Sequence, residues 1–179
     1  DEMPEVFWGS ELFSVSLSGT EAPVQLSPTL ALSNIMDFQL SGDGSRVVYL
    51  FGQYDYALRV FFNDLVSAPV DGSAAAVRLN DPLPPNGSVL AFQVSPESSC
   101  VSYFADQTSD GAFALHRAPI AGGSPLQLTP SDSHPNYYAP VISPDGAWVA
   151  YRSSSFELFA VPTDGSRPPS LLSGSLRNT

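Results

Sequence analysis

The side chains whose types and spacing could do chemistry fall mainly in three short segments. The first is SDSHPNYYAP, which holds His134, Asn136, Tyr137 and Tyr138. Aromatic rings and amides are groups that hold a peptide or a sugar. The competing reading is a loop pinned by Pro135 and Pro140 with one tyrosine packed. The second segment carries Tyr54 and Tyr56, with Phe61 and Phe62 beyond them. Loop aromatics suit interface anchoring, whereas Phe61 and Phe62 can instead extend a strand into the core. The third is ADQTSDG, where Asp106, Thr108, Ser109 and Asp110 offer oxygen ligands of the kind calcium takes. The calcium-loop spacing and its bidentate Glu are missing, so a solvated hairpin loop is the expectation, with no metal. His116 falls on a strand, at an expected surface position and without a role.

Other chemistries lack their residues. There is no G-x-S-x-G elbow, no H-E-x-x-H, no glycine-rich phosphate loop and no dinucleotide fingerprint. The two histidines fall in separate repeats, which does not suit a Ser-His-Asp triad. Paired aspartates for glycoside chemistry depend on separation in space, and most aspartates here sit in turn sequences. The sequence therefore points away from catalysis by its own residues and calls for no cofactor. All seven basic residues are arginine, against 18 acids, for a net charge of −11. That argues against nucleic acid and anionic membrane and favours a partner with a basic patch. Cys100 is the single cysteine, so neither a disulfide framework nor a thiolate zinc site is expected. No apolar run approaches the ~18 residues of a membrane span, and Asp1 opens no signal-peptide pattern.

The elements that must position these groups are written as repeats. SGDGSRVVYL from Ser41, SPESSCVSYF from Ser95 and SPDGAWVAYR from Ser143 share a turn followed by an apolar run with an aromatic. A second pattern begins at Leu12, Leu65, Leu115 and Leu158, with glycine pairs at Gly19, Gly72, Gly123 and Gly165. Those glycines are 53, 51 and 42 residues apart, the ~40–50 residue period of propeller blades. Each unit reads as four strands. Strand a is Asp37–Leu40, Ala91–Val94 and Pro140–Ile142. Strand b is Arg46–Phe51, Cys100–Phe104 and Trp148–Arg152. Strand c is Leu12–Leu17, Leu65–Val70, Leu115–Ile120 and Leu158–Val161. Strand d is Val24–Leu26, Val77–Leu79, Leu126–Leu128 and Ser170–Leu172. The connection from b to c varies most, around Gly52–Asp64, Asp106–Ala114 and Ser153–Glu157, and variable loops are where binding usually lives.

The Ser-Pro-Asp-Gly turn, the apolar-aromatic strand and the Asp-Gly hairpin resemble the WD-like β-propeller repeats of the TolB-type family, from about Phe7 to Leu172. Gly42 replaces the proline in one copy, and Ser98 replaces the glycine in another, which puts that turn's left-handed geometry in doubt. The expected fold is all-β: a single partial propeller over 1–179, with an incomplete blade at 5–28 and full blades at 34–82, 88–130 and 136–174. Val6–Trp8 reads as a remnant of strand b. Closed propellers typically need 4–8 blades. Either the chain is a piece of a longer one, or two copies assemble to close a ring of seven to eight blades. The resemblance implies a periplasmic or secreted scaffold that binds a protein or peptide through its loop face or channel mouth. It places the segment ahead of strand a, with His134, Asn136, Tyr137 and Tyr138, near the channel. Two alternatives stay open. The chain is the propeller part of a prolyl oligopeptidase-like hydrolase whose catalytic domain is elsewhere, or a propeller glycosidase or lyase.

Overall fold

The structure, a computed structural model, describes residues 9–30, 32–55, 57–58, 60–131, 138–153 and 155–173. Its strands are β1 (Phe13–Ser14), β2 (Val24–Gln25), β3 (Ser33–Leu40), β4 (Arg46–Asp55), β5 (Val60–Pro69), β6 (Val77–Arg78), β7 (Val89–Val94), β8 (Cys100–Ala105), β9 (Ala114–Pro119), β10 (Leu126–Gln127), β11 (Val141–Ile142), β12 (Trp148–Arg152), β13 (Leu158–Pro162) and β14 (Ser170–Leu171). They form antiparallel sheets in chain order: β1–β2, then β3–β4–β5–β6, β7–β8–β9–β10 and β11–β12–β13–β14. This is the expected partial propeller of three four-stranded blades after an incomplete one. Val6–Trp8 lies outside the described residues.

The turn between strands a and b is fixed by its serine. Ser41, Ser95 and Ser143 accept the backbone N–H of Arg46, Cys100 and Trp148 on their hydroxyls, at 2.9, 3.1 and 2.9 Å. Their carbonyls accept from Gly44, Ser98 and Gly146. Those residues have φ of +69°, +62° and +71°. Ser98 thus adopts the left-handed geometry that its side chain disfavours, at a cost of roughly 1–2 kcal/mol. Its hydroxyl accepts the N–H of Asp43 in the neighbouring turn at 3.0 Å, which offsets part of that cost. Gly42 has its own reason, since a Cβ there would lie 2.6 Å from the Pro96 carbonyl oxygen. Adjacent turns therefore touch.

Strands c and d close by a second repeated device. The N–H groups of Leu12, Leu65, Leu115 and Leu158 donate to Ser27, Asn80, Thr129 and Ser173 side-chain oxygens at 2.8, 2.8, 2.9 and 2.9 Å. The carbonyls of the same leucines accept from Leu26, Leu79, Leu128 and Leu172 at 2.8 Å. The sequence shows this as a leucine followed by a short polar residue. In the turn between c and d, the glycine donating back to Pro119 is Gly122, at 3.0 Å. The repeat position is therefore Gly122 and not Gly123, because Ala121 fills the place of Asp71 and Asp164.

Several expected boundaries move; β3, for one, begins at Ser33 and not at Asp37. Strand c of the incomplete blade shrinks from Leu12–Leu17 to Phe13–Ser14, because β1 pairs with β2 alone. The segment Gly52–Asp64 is mostly strand, with Tyr54 opposite Phe61 and Asp55 opposite Val60. Aromatic and β-branched residues on both arms continue the ladder. Asp55 caps the hairpin by accepting the N–H groups of Ala57 and Leu58 at 2.8 and 3.0 Å. Phe61 and Phe62 thus lie on a strand.

The core lies between sheets. On β4, Val47, Tyr49 and Phe51 pack with Leu12, Val24 and Leu26 of the incomplete blade. Val48 and Leu50, of opposite parity, pack with Val89, Phe92 and Tyr103 of the next blade. On β8, Phe104 turns the other way and packs with Ile142, Val149 and Tyr151. Polar ties cross the same gaps. The Tyr49 hydroxyl donates to the Leu26 carbonyl at 3.1 Å. The Gln39 side chain bonds the Phe92 carbonyl and the Val94 N–H, both at 3.1 Å.

Repeat-equivalent leucines test this stacking. Leu115 is 0% exposed and Leu158 is 42% exposed. Leu115→Ala is expected to cost about 3 kcal/mol, and Leu158→Ala about 1 kcal/mol or less. Urea denaturation of the two variants measures both; equal losses would contradict face-to-face stacking as the source of stability.

Candidate functional site

In an antiparallel sheet the end of strand b lies beside the start of strand a. Ser33 pairs with Gln53, and Val89 with Ala105. The loops from b to c and the segments leading into a therefore share one rim. That rim collects Tyr54, Asp106, Asp110 and Tyr138. Tyr56, His134, Asn136 and Tyr137 lie outside the described residues.

Tyr54 is half-buried on β4. Tyr138 is exposed and covers one face of the Arg152 guanidinium at 4.9 Å from ring centre to Cζ. Asp110 is exposed in its loop. Asp106 is buried and works inside the fold: one oxygen accepts the Ser88 N–H at 2.6 Å and the other the Gly111 N–H at 2.9 Å. It thereby ties the link between blades to the loop from b to c. Among the described residues, no group of three or more His, Cys, Asp or Glu could hold a metal.

His116 was expected at the surface and is buried. Its place in the repeat explains this. His116 stacks on Tyr103 with ring centres 5.4 Å apart, as Phe159 stacks on Tyr151 at 5.6 Å. It fills an aromatic core position facing the preceding blade. Burial pushes its pKa down to about 4, against a backbone hydrogen bond at Ala105 and the Asp81 charge, both of which raise it. Tyr103 is pushed up by burial and by the same Asp81. Its hydroxyl donates to Gln107 Oε1 at 2.9 Å.

The same rim holds a cavity of about 300 Å³ between the β4–β5 hairpin and the link to the next blade. Phe51 and Phe62 give it an apolar wall, and Gln53, Asp64, Arg78 and Asn86 add polar groups. Arg78 approaches Asp64 at 3.9 Å, and Asn80 Nδ2 donates to the same carboxylate at 2.8 Å. The arrangement offers amide donors and acceptors beside an aromatic wall, with one carboxylate and one guanidinium. Such a lining suits a peptide chain, whose backbone needs amides and whose side chains need an apolar wall. These residues carry no spacing signal in the sequence; folding of the long hairpin over the interblade link brings them together. The opposite rim differs. There the Asp43 carboxyl is lowered to about 2, chiefly by the Ser41 hydroxyl and then by Ser45. The Ser143 hydroxyl, followed by the Ala147 N–H, also holds the Asp145 carboxyl below its ordinary range.

Two expected outcomes follow from this geometry. A histidine whose folded pKa is depressed stabilises the fold above the unfolded value near 6.5, and that stability is lost as pH falls through 6.5 toward 4. His116→Phe is expected to keep the ring stack and remove about 2–3 kcal/mol of that pH dependence, read as the difference in urea stability between pH 7 and pH 4. Asp106→Ala is expected to cost about 2 kcal/mol by orphaning two N–H groups. Faster hydrogen exchange at the Ser88 and Gly111 amides would report the loss.

No protein-family model matches the chain, and no curated protein sequence matches it. Solved structures do. The Dos1 propeller matches 92% of this chain and 42% of its own, with TM-score 0.63 and 15% identity. A puromycin-hydrolysing peptidase from Mycobacterium tuberculosis matches 88% of this chain and 26% of its own, with TM-score 0.60 and 16% identity. TolB from Acinetobacter baumannii matches 84% of this chain and 34% of its own, with TM-score 0.54 and 16% identity. The chain thus spans well under half the length of each. What these likenesses establish is the fold, a β-propeller built of stacked antiparallel blades.

Proposed function

We propose that the chain is a non-enzymatic β-propeller scaffold that binds a protein or peptide at its loop rim. The mixed aromatic and amide cavity beside the β4–β5 hairpin is the observation that carries this reading. Supporting it, the carboxylates of this rim are engaged in structure: Asp64 accepts from Asn80 and faces Arg78, and Asp106 ties loops. The net charge of −11 favours a partner carrying a basic patch. Likeness to TolB supports a periplasmic or secreted setting.

A second reading is favoured by the likeness to the puromycin-hydrolysing peptidase. In it, these blades are the propeller part of a larger prolyl oligopeptidase-like hydrolase, and the rim admits or positions a peptide for a separate catalytic domain. A G-x-S-x-G segment in the adjoining coding sequence would favour it over the scaffold.

A displayed peptide library selected on the wild-type chain, with affinities remeasured on Phe62→Ala and Arg78→Ala, tests rim binding. Each variant is expected to weaken the selected peptides by roughly tenfold or more. Arg78 and Asp64 are substantially exposed, so stability should change little. Peptides that bind both variants as well as the wild type would remove the cavity from the account.

A further inference from the structure

The link from β6 to β7 forms one wall of the loop-rim cavity, through Leu83, Pro84, Asn86 and Gly87. Two consecutive residues of the next blade hold both its ends. At one end Asp106 accepts the Ser88 N–H at 2.6 Å. At the other Gln107 Oε1 accepts the Asp81 N–H at 3.2 Å. Asp81 passes the contact on. Its carbonyl accepts from Asn80 Nδ2 at 2.9 Å, and the same amide donates to Asp64 in the cavity. The wall and the cavity carboxylate are therefore tied to one side chain, Gln107.

A buried ring fixes Gln107 in turn. Gln107 Oε1 also accepts the Tyr103 hydroxyl, so Nε2 is the end that faces His116 Nδ1, at 3.4 Å. Burial pushes the His116 pKa down, and the ring's bond to the Ala105 backbone pushes it back up. A bond that favours the charged ring is one that the ring donates. The neutral ring therefore keeps its proton at Ala105, which leaves Nδ1 as the acceptor that Gln107 needs. A second proton, on Nδ1, would set donor against donor. The amide then satisfies the ring only by turning end for end, and Tyr103 and Asp81 lose their shared acceptor.

The charged and titratable groups around the ring can be named. Asp81, on the link, acts on it and favours the proton. Tyr103, on β8, stacks against it. Gln127, opposite it on β10, is uncharged. Arg117 faces the other way by strand alternation. Asp106 is engaged by Ser88 and Gly111, and Asp64 and Arg78 of the preceding blade line the cavity. We infer that Gln107 is a latch on the cavity wall, closed by neutral His116 and released when that ring is protonated, so that acid loosens the site's hold on a peptide. This regulation rests on the peptide-binding reading of the cavity. The latch has two discrete states, which differ by one amide rotation. Its coupling is reciprocal: a peptide that keeps the wall in place should make His116 harder to protonate.

Hydrogen exchange on the full chain, without ligand, tests the latch. Measured against intrinsic rates, protection of the Asp81 amide should fall by roughly tenfold or more from pH 7 to pH 4, while the amides of β8 keep theirs. His116→Phe should keep Asp81 protected at both pH values. Gln107→Ala should leave it poorly protected at both. Peptides selected by display at pH 7 test the consequence. On the wild-type chain they should bind about twofold more weakly at pH 4, where half of the His116 rings are protonated, and His116→Phe should remove that loss. Protection at Asp81 that ignores pH, or that falls equally in His116→Phe, would overturn the latch. Peptides with the same pH dependence on both proteins would overturn its control of the cavity. Failure to select any peptide would instead remove the binding reading, and this regulation with it, whatever the exchange shows.

Discussion

A sheet that is apolar on both faces must be covered on both faces, and the rest of this molecule follows from that constraint. β4 shows it most plainly. Val47, Tyr49 and Phe51 face one neighbour while Val48 and Leu50 face the other. No two-layer sandwich would satisfy such a strand, because one face would stay wet. Stacking sheets in series does satisfy it. Each gap between sheets is then a small core of its own, closed by polar ties such as the Tyr49 hydroxyl on the Leu26 carbonyl.

The turns show how the rim opposite the cavity is kept in register. Ser41, Ser95 and Ser143 each bind the start of the following strand. The contact between neighbouring turns depends on Gly42 leaving room and on Ser98 filling it with a hydroxyl. Two departures from the repeat that look like flaws in single units are complementary across a pair. The energetic meaning of either residue is visible only when its neighbour is present.

Much of this was legible in the sequence, because turns and strand alternation are local. The Ser-x-Asp-Gly segments and the apolar runs after them mark the blades, and the strand-c leucines mark the outer hairpins. What was not legible is non-local. His116 reads as a surface polar residue until its repeat partner Phe159 shows the position to be an aromatic core site. Gly52–Asp64 reads as a long loop because unequal spacing does not distinguish a loop from a longer hairpin. Asp106 reads as a loop carboxylate because its partners Ser88 and Gly111 lie on either side of a strand. The rim cavity joins Gln53, Arg78 and Asn86 from three segments, and no spacing announces it.

The series arrangement also sets an order of events in folding. Each blade is a contiguous run of chain, so its strands meet after short loop closures. β8, buried along its whole length between two neighbours, is the last of these strands expected to open. A protease working on the native protein would meet the exposed turns between strands long before it reached Tyr103.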